Sequence, residues 1–254
     1  MSDRSAMGIG IALDLGSSGF RAQAINLSNG NLQRRAETLC HPLPGKNVID
    51  HILFSLTYGG RMAHKLAIKA VNRLIELTAS PKEEDIEAIA VCGNPTQLAL
   101  FTNGELRDLV YSPDALLRKG ICAPTREAQV LDCRAIGVNA TCNVLVAPAI
   151  KAEVGADAVA MIMKSGLQHH SQAAAIDFGT NAEMAVKSGS SFFVGSAAAG
   201  PAIEGQHISR GMLAAPGAIS DLGYGWGWRC QVLDESMVPQ DGDIVDLKSG
   251  VTMK

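Results

Sequence analysis

Residues 12–25 read ALDLGSSGFRAQAI, an apolar run that carries Asp14, closes on Gly16-Ser17-Ser18-Gly19 and resumes with alternation. Phe20, Ala22 and Ala24 alternate with Arg21 and Gln23, the period of a half-buried strand. The stretch therefore predicts strand, tight turn, strand, with the first strand over Gly10–Leu15. A carboxylate inside an apolar strand is costly unless it is paired or coordinates a cation. Asp14 thus either sits solvated at a turn or faces a metal and a ligand.

The pattern returns once. Residues 173–186 read AAAIDFGTNAEMAV: an apolar strand, Asp177-Phe178-Gly179, a hydroxyl residue, then a second amphipathic strand. A single Asp-x-Gly hairpin is ordinarily just a turn. Two copies about a domain length apart point to two topologically similar halves. Glycine turns aim several backbone N–H groups at one point, which suits a phosphate. Ser17, Ser18 and Thr180 add hydroxyl donors. An acid just before each turn suits Mg2+, which takes carboxylates, waters and substrate phosphates. A Rossmann reading fits less well, because Gly8 and Gly10 precede the first strand and a strand, not a helix, follows the turn. No glycine is followed by Lys and Ser or Thr as in a P-loop.

Around these hairpins, Asn29-Gly30 marks a turn before a strand at Gln33–Leu39. Arg61–Leu77 is helical, with Met62, Leu66, Ala70, Leu74 and Leu77 on one face. Ser80-Pro81-Lys82-Glu83 carries the signals of a helix start. Ile89–Cys92 and Asn143–Ala147 are buried strands, and Val154–Lys164 is a helix stopped by Gly166. Gly195–Gln206, GSAAAGPAIEGQ, reads as a small-residue loop that opens a helix at Pro201. Small residues at Gly200 let backbone approach a ligand, or let a helix pack tightly. Glu204 falls in that helix's first turn, where it complements the dipole or faces the ligand. The tail, from Val238 onward, reads as loop.

Composition narrows the class. The chain has 254 residues, 47% hydrophobic and 19% charged, with a formal net charge of −3 and a pI of about 6.1. This is a globular composition without the basic footprint of a nucleic-acid binder. No apolar run reaches the length of a membrane span, and the N-terminus lacks a secretory pattern. Six cysteines without a C-x-x-C pair signal neither a zinc ribbon nor an iron–sulfur cluster, and read as reduced, cytoplasmic thiols.

DLGSSG and DFGTN resemble the two phosphate motifs of the acetate and sugar kinase, Hsp70 and actin superfold. "EVGADAVAMIMKSGL", "IDFGTNAEMAV", "GSAAAGPAIEGQHISRGMLAAPGAISD" and "VCGNPTQ" are more specifically similar to the ATPase domain of the reductive activators of corrinoid-dependent methyltransferases. The match is nearly gapless from Glu153 to Asp221 and looser in the first half. Within that family the sequence resembles the methanogenesis marker 14 proteins. The resemblance implies a two-lobed, ribonuclease H-like α/β fold. Its lobes would be 8–150, with a connecting helix and loop at 151–172, and 173–254, the second apparently truncated because no late adenosine-binding glycine pair follows. It implies ATP and Mg2+ as cofactors. Asp14 would hold Mg2+ through water, with Gly16, Ser17 and Ser18 on the β- and γ-phosphates. Asp177 would orient the attacking water or the metal, with Gly179, Thr180 and Asn181 on the terminal phosphate. Glu183 stands between site and surface, and Asp157 between cleft and ordinary first-turn acid.

The family's [2Fe–2S] domain has no counterpart in this sequence. A corrinoid or methyltransferase protein is the expected partner, with electrons from a separate donor. Alternatives are a non-catalytic nucleotide-binding scaffold or sensor and, third, a small-molecule kinase. A lobe that ends early would expose apolar surface and favour a homodimer. His169, His170 and His207 read as solvated, Arg21 and Arg210 as salt-bridge partners or phosphate contacts, and Tyr224, Trp226 and Trp228 as packing or a partner contact.

Overall fold

In a computed structural model, residues 8–45, 47–79, 86–149, 154–179, 181–199, 216–217, 219–224, 228–236 and 238–245 are described. The chain divides into two compact units, Met1–Asp177 with Glu183–Ser196, and Phe178–Ala182 with Ala197–Lys254.

Three alternating runs give β1 (Ile9–Leu15), β2 (Phe20–Asn26) and β3 (Leu32–Glu37), an antiparallel meander. β4 (Ile86–Gly93) joins the free edge of β1 in parallel, β6 (Asn143–Val146) follows parallel to β4, and β5 (Gln129–Asp132) closes the sheet antiparallel to β6. The strand order is β3-β2-β1-β4-β6-β5. β7 (Gln172–Phe178), β8 (Asn181–Ser188) and β9 (Ser191–Ala198) form a second sheet. β10 (Ile219–Tyr224), β11 (Trp228–Leu233) and β12 (Pro239–Val245) form an antiparallel third. The expected hairpins are thus present. Gly195–Ala198, expected as loop, is the end of strand β9. Pro239–Val245, also expected as loop, pairs with β11. The expected helix starts at Ser80 and Pro201 lie outside the described residues.

The helices are α1 (Val48–Tyr58), α2 (Gly60–Thr78), α3 (Pro95–Thr102), α4 (Pro113–Arg118) and α5 (Ala156–Ser165). Gly59, at φ +97°, joins α1 to α2 in a conformation that side chains avoid. The expected face of α2 is wrong by about one residue. Met62 and Leu77 are half-exposed, while Ala63, Ala67, Ile68, Val71, Leu74 and Ile75 are buried. The helix packs against β2 and β3, and its Ala67, Ile68, Val71, Leu74 and Ile75 share one core with Ile9, Ile11, Leu13 and Leu15. α3 begins on Asn94, whose side chain accepts the Gln97 N–H at 3.1 Å, with Pro95 in the first turn.

A polar chain runs through this interior. The Leu43 N–H donates to His41 Nδ1 at 3.0 Å, so His41 carries its proton on Nε2 and donates to Gln97 Oε1 at 2.8 Å. Gln97 Nε2 then donates to His51 Nδ1 at 2.9 Å. The two imidazoles stack with centroids 3.6 Å apart, and Phe20, just after the first turn, meets His41 edge-on. Burial holds both imidazoles below their usual range, His51 at about 4.

Candidate functional site

The tips of β1 and β4 and the start of α5 meet backbone to backbone. A Cβ on Gly155 would lie 2.5 Å from the Gly93 carbonyl oxygen and 2.6 Å from Asn94 Cα. A Cβ on Gly93 would lie 2.5 Å from the Leu15 carbonyl oxygen. Only glycines allow so close an approach.

Asp14 faces Arg21 across the β1–β2 pair and Cys92 across the β1–β4 pair. Arg21 Nη1 donates to Asp14 Oδ2 at 3.1 Å, and both side chains are substantially exposed. The carboxylate thus resolves its cost by standing near a strand end, partly exposed and ion-paired, instead of inside the core. Asp157 occupies the first turn of α5, and its Oδ1 accepts the Ala158 N–H at 2.9 Å. Burial raises its carboxyl above the ordinary range; the carboxylates of Asp14 and Asp177 push the same way. Glu183 on β8 is raised by burial, then by Asp157 and Asp177, against the Ser196 hydroxyl that donates to it at 3.2 Å. Burial, with Asp14 and Asp157 adding to it, pushes the Cys92 thiol up to about 12 and keeps it neutral. Within the first unit, Asp157 therefore feels Asp14 and Asp177, and Glu183 feels Asp157 and Asp177. The sequence ranked Asp157 low because an acid in a first helical turn is commonplace; its burial shows only in the folded chain.

Ser17 is buried, Ser18 exposed, and Asp177 stands exposed near the end of β7. The Gly16 N–H donates to the Gly19 carbonyl at 3.1 Å, and the Gly179 N–H to the Asn181 carbonyl at 2.8 Å. These two donors are engaged within their own turns. Thr180, Gly200, Glu204, His207 and Arg210 lie outside the described residues. Among the described residues no three His, Cys, Asp or Glu side chains gather closely enough to hold a metal ion. The hard-oxygen set still fits Mg2+, which keeps several waters and is held by one or two carboxylates and substrate phosphates. Among the described residues no helix is long and apolar enough to cross a membrane.

A sheet of order β3-β2-β1-β4-β6, entered by a glycine hairpin behind an aspartate, defines the class as the acetate and sugar kinase, Hsp70 and actin superfold. The RACo middle region matches over residues 9–170, and the C-terminal ASKHA domain of RACo over residues 172–237. The chain belongs to this RACo family, as the sequence resemblance implies. It is 44% identical over 247 residues, 95% of this chain and 46% of that protein, to the Co(II) methylated amine-specific corrinoid protein reductase of Methanosarcina barkeri. It is 29% identical over 228 residues, 84% of this chain and 36% of that protein, to the corrinoid activation enzyme RamQ of Eubacterium limosum. The fold is shared with a reductive activator for corrinoid, iron–sulfur protein at a TM-score of 0.64 and 24% identity, covering 91% of this chain and 38% of that one. The chain spans less than half the length of the curated relatives it matches.

Proposed function

We propose that this chain supplies the nucleotide-dependent step in activating a corrinoid protein in the cytoplasm, with Mg2+ and ATP held at the carboxylate-rimmed strand tips. The observation that carries this is a pair of carboxyls, Asp157 and Glu183, raised first by burial and then by neighbouring acids, Asp14 and Asp177 for Asp157 and Asp157 and Asp177 for Glu183. Such a cluster is relieved by a divalent cation. Bound Mg2+ would neutralise phosphate charge, and bound ATP would favour the conformation it fits better. Arg21 fixes the Asp14 carboxylate; Ser196 fixes that of Glu183. The neutral Cys92 thiol adds no charge between them. The roles on Gly179, Thr180, Asn181, Gly200 and Glu204 rest on the family resemblance alone. The names of the relatives support a corrinoid protein as partner. Electrons would come from a low-potential donor.

Calorimetric titration of Mg·ATP into the 254-residue chain tests the reading. The wild type should bind, and Asp14→Ala, Asp157→Asn and Asp177→Ala should each weaken binding by about tenfold or more, roughly 1.4 kcal/mol. Absence of binding by the wild type would refute it in favour of a non-catalytic scaffold. A spectroscopic assay of Co(II) loss from a corrinoid protein, with an added low-potential donor, then separates motor from scaffold: only the motor makes the rate ATP-dependent.

A further inference from the structure

We propose that Cys133 and Cys142 form a reversible dithiol–disulfide couple that clamps the base of the 134–141 loop, with a low-molecular-weight disulfide as oxidant. β5 and β6 pair antiparallel up to Asp132 opposite Asn143, so the next residues outward are Cys133 and Cys142. The Cys133 N–H donates to the Cys142 carbonyl at 3.3 Å. Cys133 leaves the ladder there into helical backbone, φ −55° and ψ −41°, and this hydrogen bond keeps its backbone beside that of Cys142. The two sulfurs already lie 4.0 Å apart, and both are free thiols. Side-chain rotation alone closes that distance, with no change in strand register.

The two thiols are unequal. Cys133 is fully buried, whereas Cys142 is partly exposed. Burial and the neighbouring Cys142 hold the Cys133 thiol near 12. Attack therefore begins at Cys142. Its thiolate displaces one thiol from the small disulfide and forms a mixed disulfide. Cys133 then loses its proton, attacks the Cys142 sulfur and releases the second thiol. Two protein thiols are oxidised and one small disulfide is reduced to two thiols.

The clamped loop is anchored on α2. Asn72 donates to the Gly137 carbonyl at 2.9 Å and accepts the Asn139 N–H at 2.8 Å. The Val138 N–H returns to the Cys133 carbonyl at 2.8 Å. Oxidation thus ties the sheet edge to the segment that grips α2.

The test incubates the whole chain with glutathione disulfide, blocks remaining thiols and digests with trypsin. Arg134 separates the pair, so the expected product is Glu127–Arg134 joined to Ala135–Lys151 and lighter by two hydrogens than the separate peptides. A reducing agent should release it. Cys142→Ser should abolish it, and the double variant of the exposed Cys40 and Cys122 to Ser should leave it intact. The oxidised chain should melt at a higher temperature than the reduced one, because a loop is closed. Persistent glutathione on Cys142 with Cys133 left as thiol, pairing of either with Cys40 or Cys122, or a lower melting temperature on oxidation would each overturn the proposal.

Discussion

Acidification should loosen the first unit through His51. The residue is fully buried, and its pKa sits at about 4 against an ordinary value of 6.5. Burial is the main cause and the adjacent His41 adds to it, while Asp50 and the Gly45 carbonyl pull the other way. The hydrogen-bond chain explains why no proton fits. A proton on His51 Nδ1 would face the Gln97 amide N–H, and flipping that amide would turn its N–H onto the His41 Nε2–H. The neutral form is favoured in the fold, so the stabilisation is complete above the unfolded pKa. It falls as pH drops from 6.5 toward 4 and is flat below that. The depression corresponds to roughly 3 to 3.5 kcal/mol. Across the middle of that window the slope from one excluded proton approaches about 1.4 kcal/mol per pH unit. Urea unfolding at intervals from pH 7.5 to 4 reads it directly. His51→Gln should lower stability at pH 7 yet flatten the slope by about that amount, leaving the contribution of His41. Equal slopes in the two proteins would refute the account.

Gly155→Ala forces a Cβ onto the Gly93 carbonyl and Asn94 Cα, so Mg·ATP affinity, measured by calorimetry, should fall by about tenfold or more. Arg126 and Asp108 form a largely buried pair with Nη2 at 2.8 and 2.9 Å from the two carboxylate oxygens. Arg126→Met strands that carboxylate and should cost about 3 kcal/mol in urea unfolding, with much of the loss recovered by adding Asp108→Leu. Asn94→Ala removes the α3 cap and should cost about 1 kcal/mol by the same assay.

The sequence exposed some of this and hid the rest for physical reasons. β1 and β2 were legible because one buried face imposes strict alternation, as the Phe20–Asn26 burial pattern shows. α3 was hidden because Pro95–Phe101 is buried all round, which erases the helical period. The face of α2 was misjudged because Ala63 and Ala67 carry little apolar weight yet are fully buried. β12 contains Gln240, Asp241 and Gly242, a turn-like composition that becomes a strand only by pairing with β11. At the site, repetition disclosed Asp14 and Asp177, whereas Asp157 gained weight only from its burial in the folded chain. The engaged N–H groups of Gly16 and Gly179 were likewise invisible until the turns had geometry.

The parallel pairing of β1 with β4 also has a consequence during biosynthesis. The meander is complete when Glu37 is made, but the partner for the other edge of β1 ends at Gly93. At ordinary translation speeds of about 5 to 20 residues per second, that edge stays open for roughly three to ten seconds. Throughout that interval Ile9, Ile11 and Leu13 stand beside unpaired backbone groups, a template for any other extended chain. The nascent chain is therefore most vulnerable to misassembly on the ribosome, before α2 and β4 arrive to cover what later becomes the centre of the sheet.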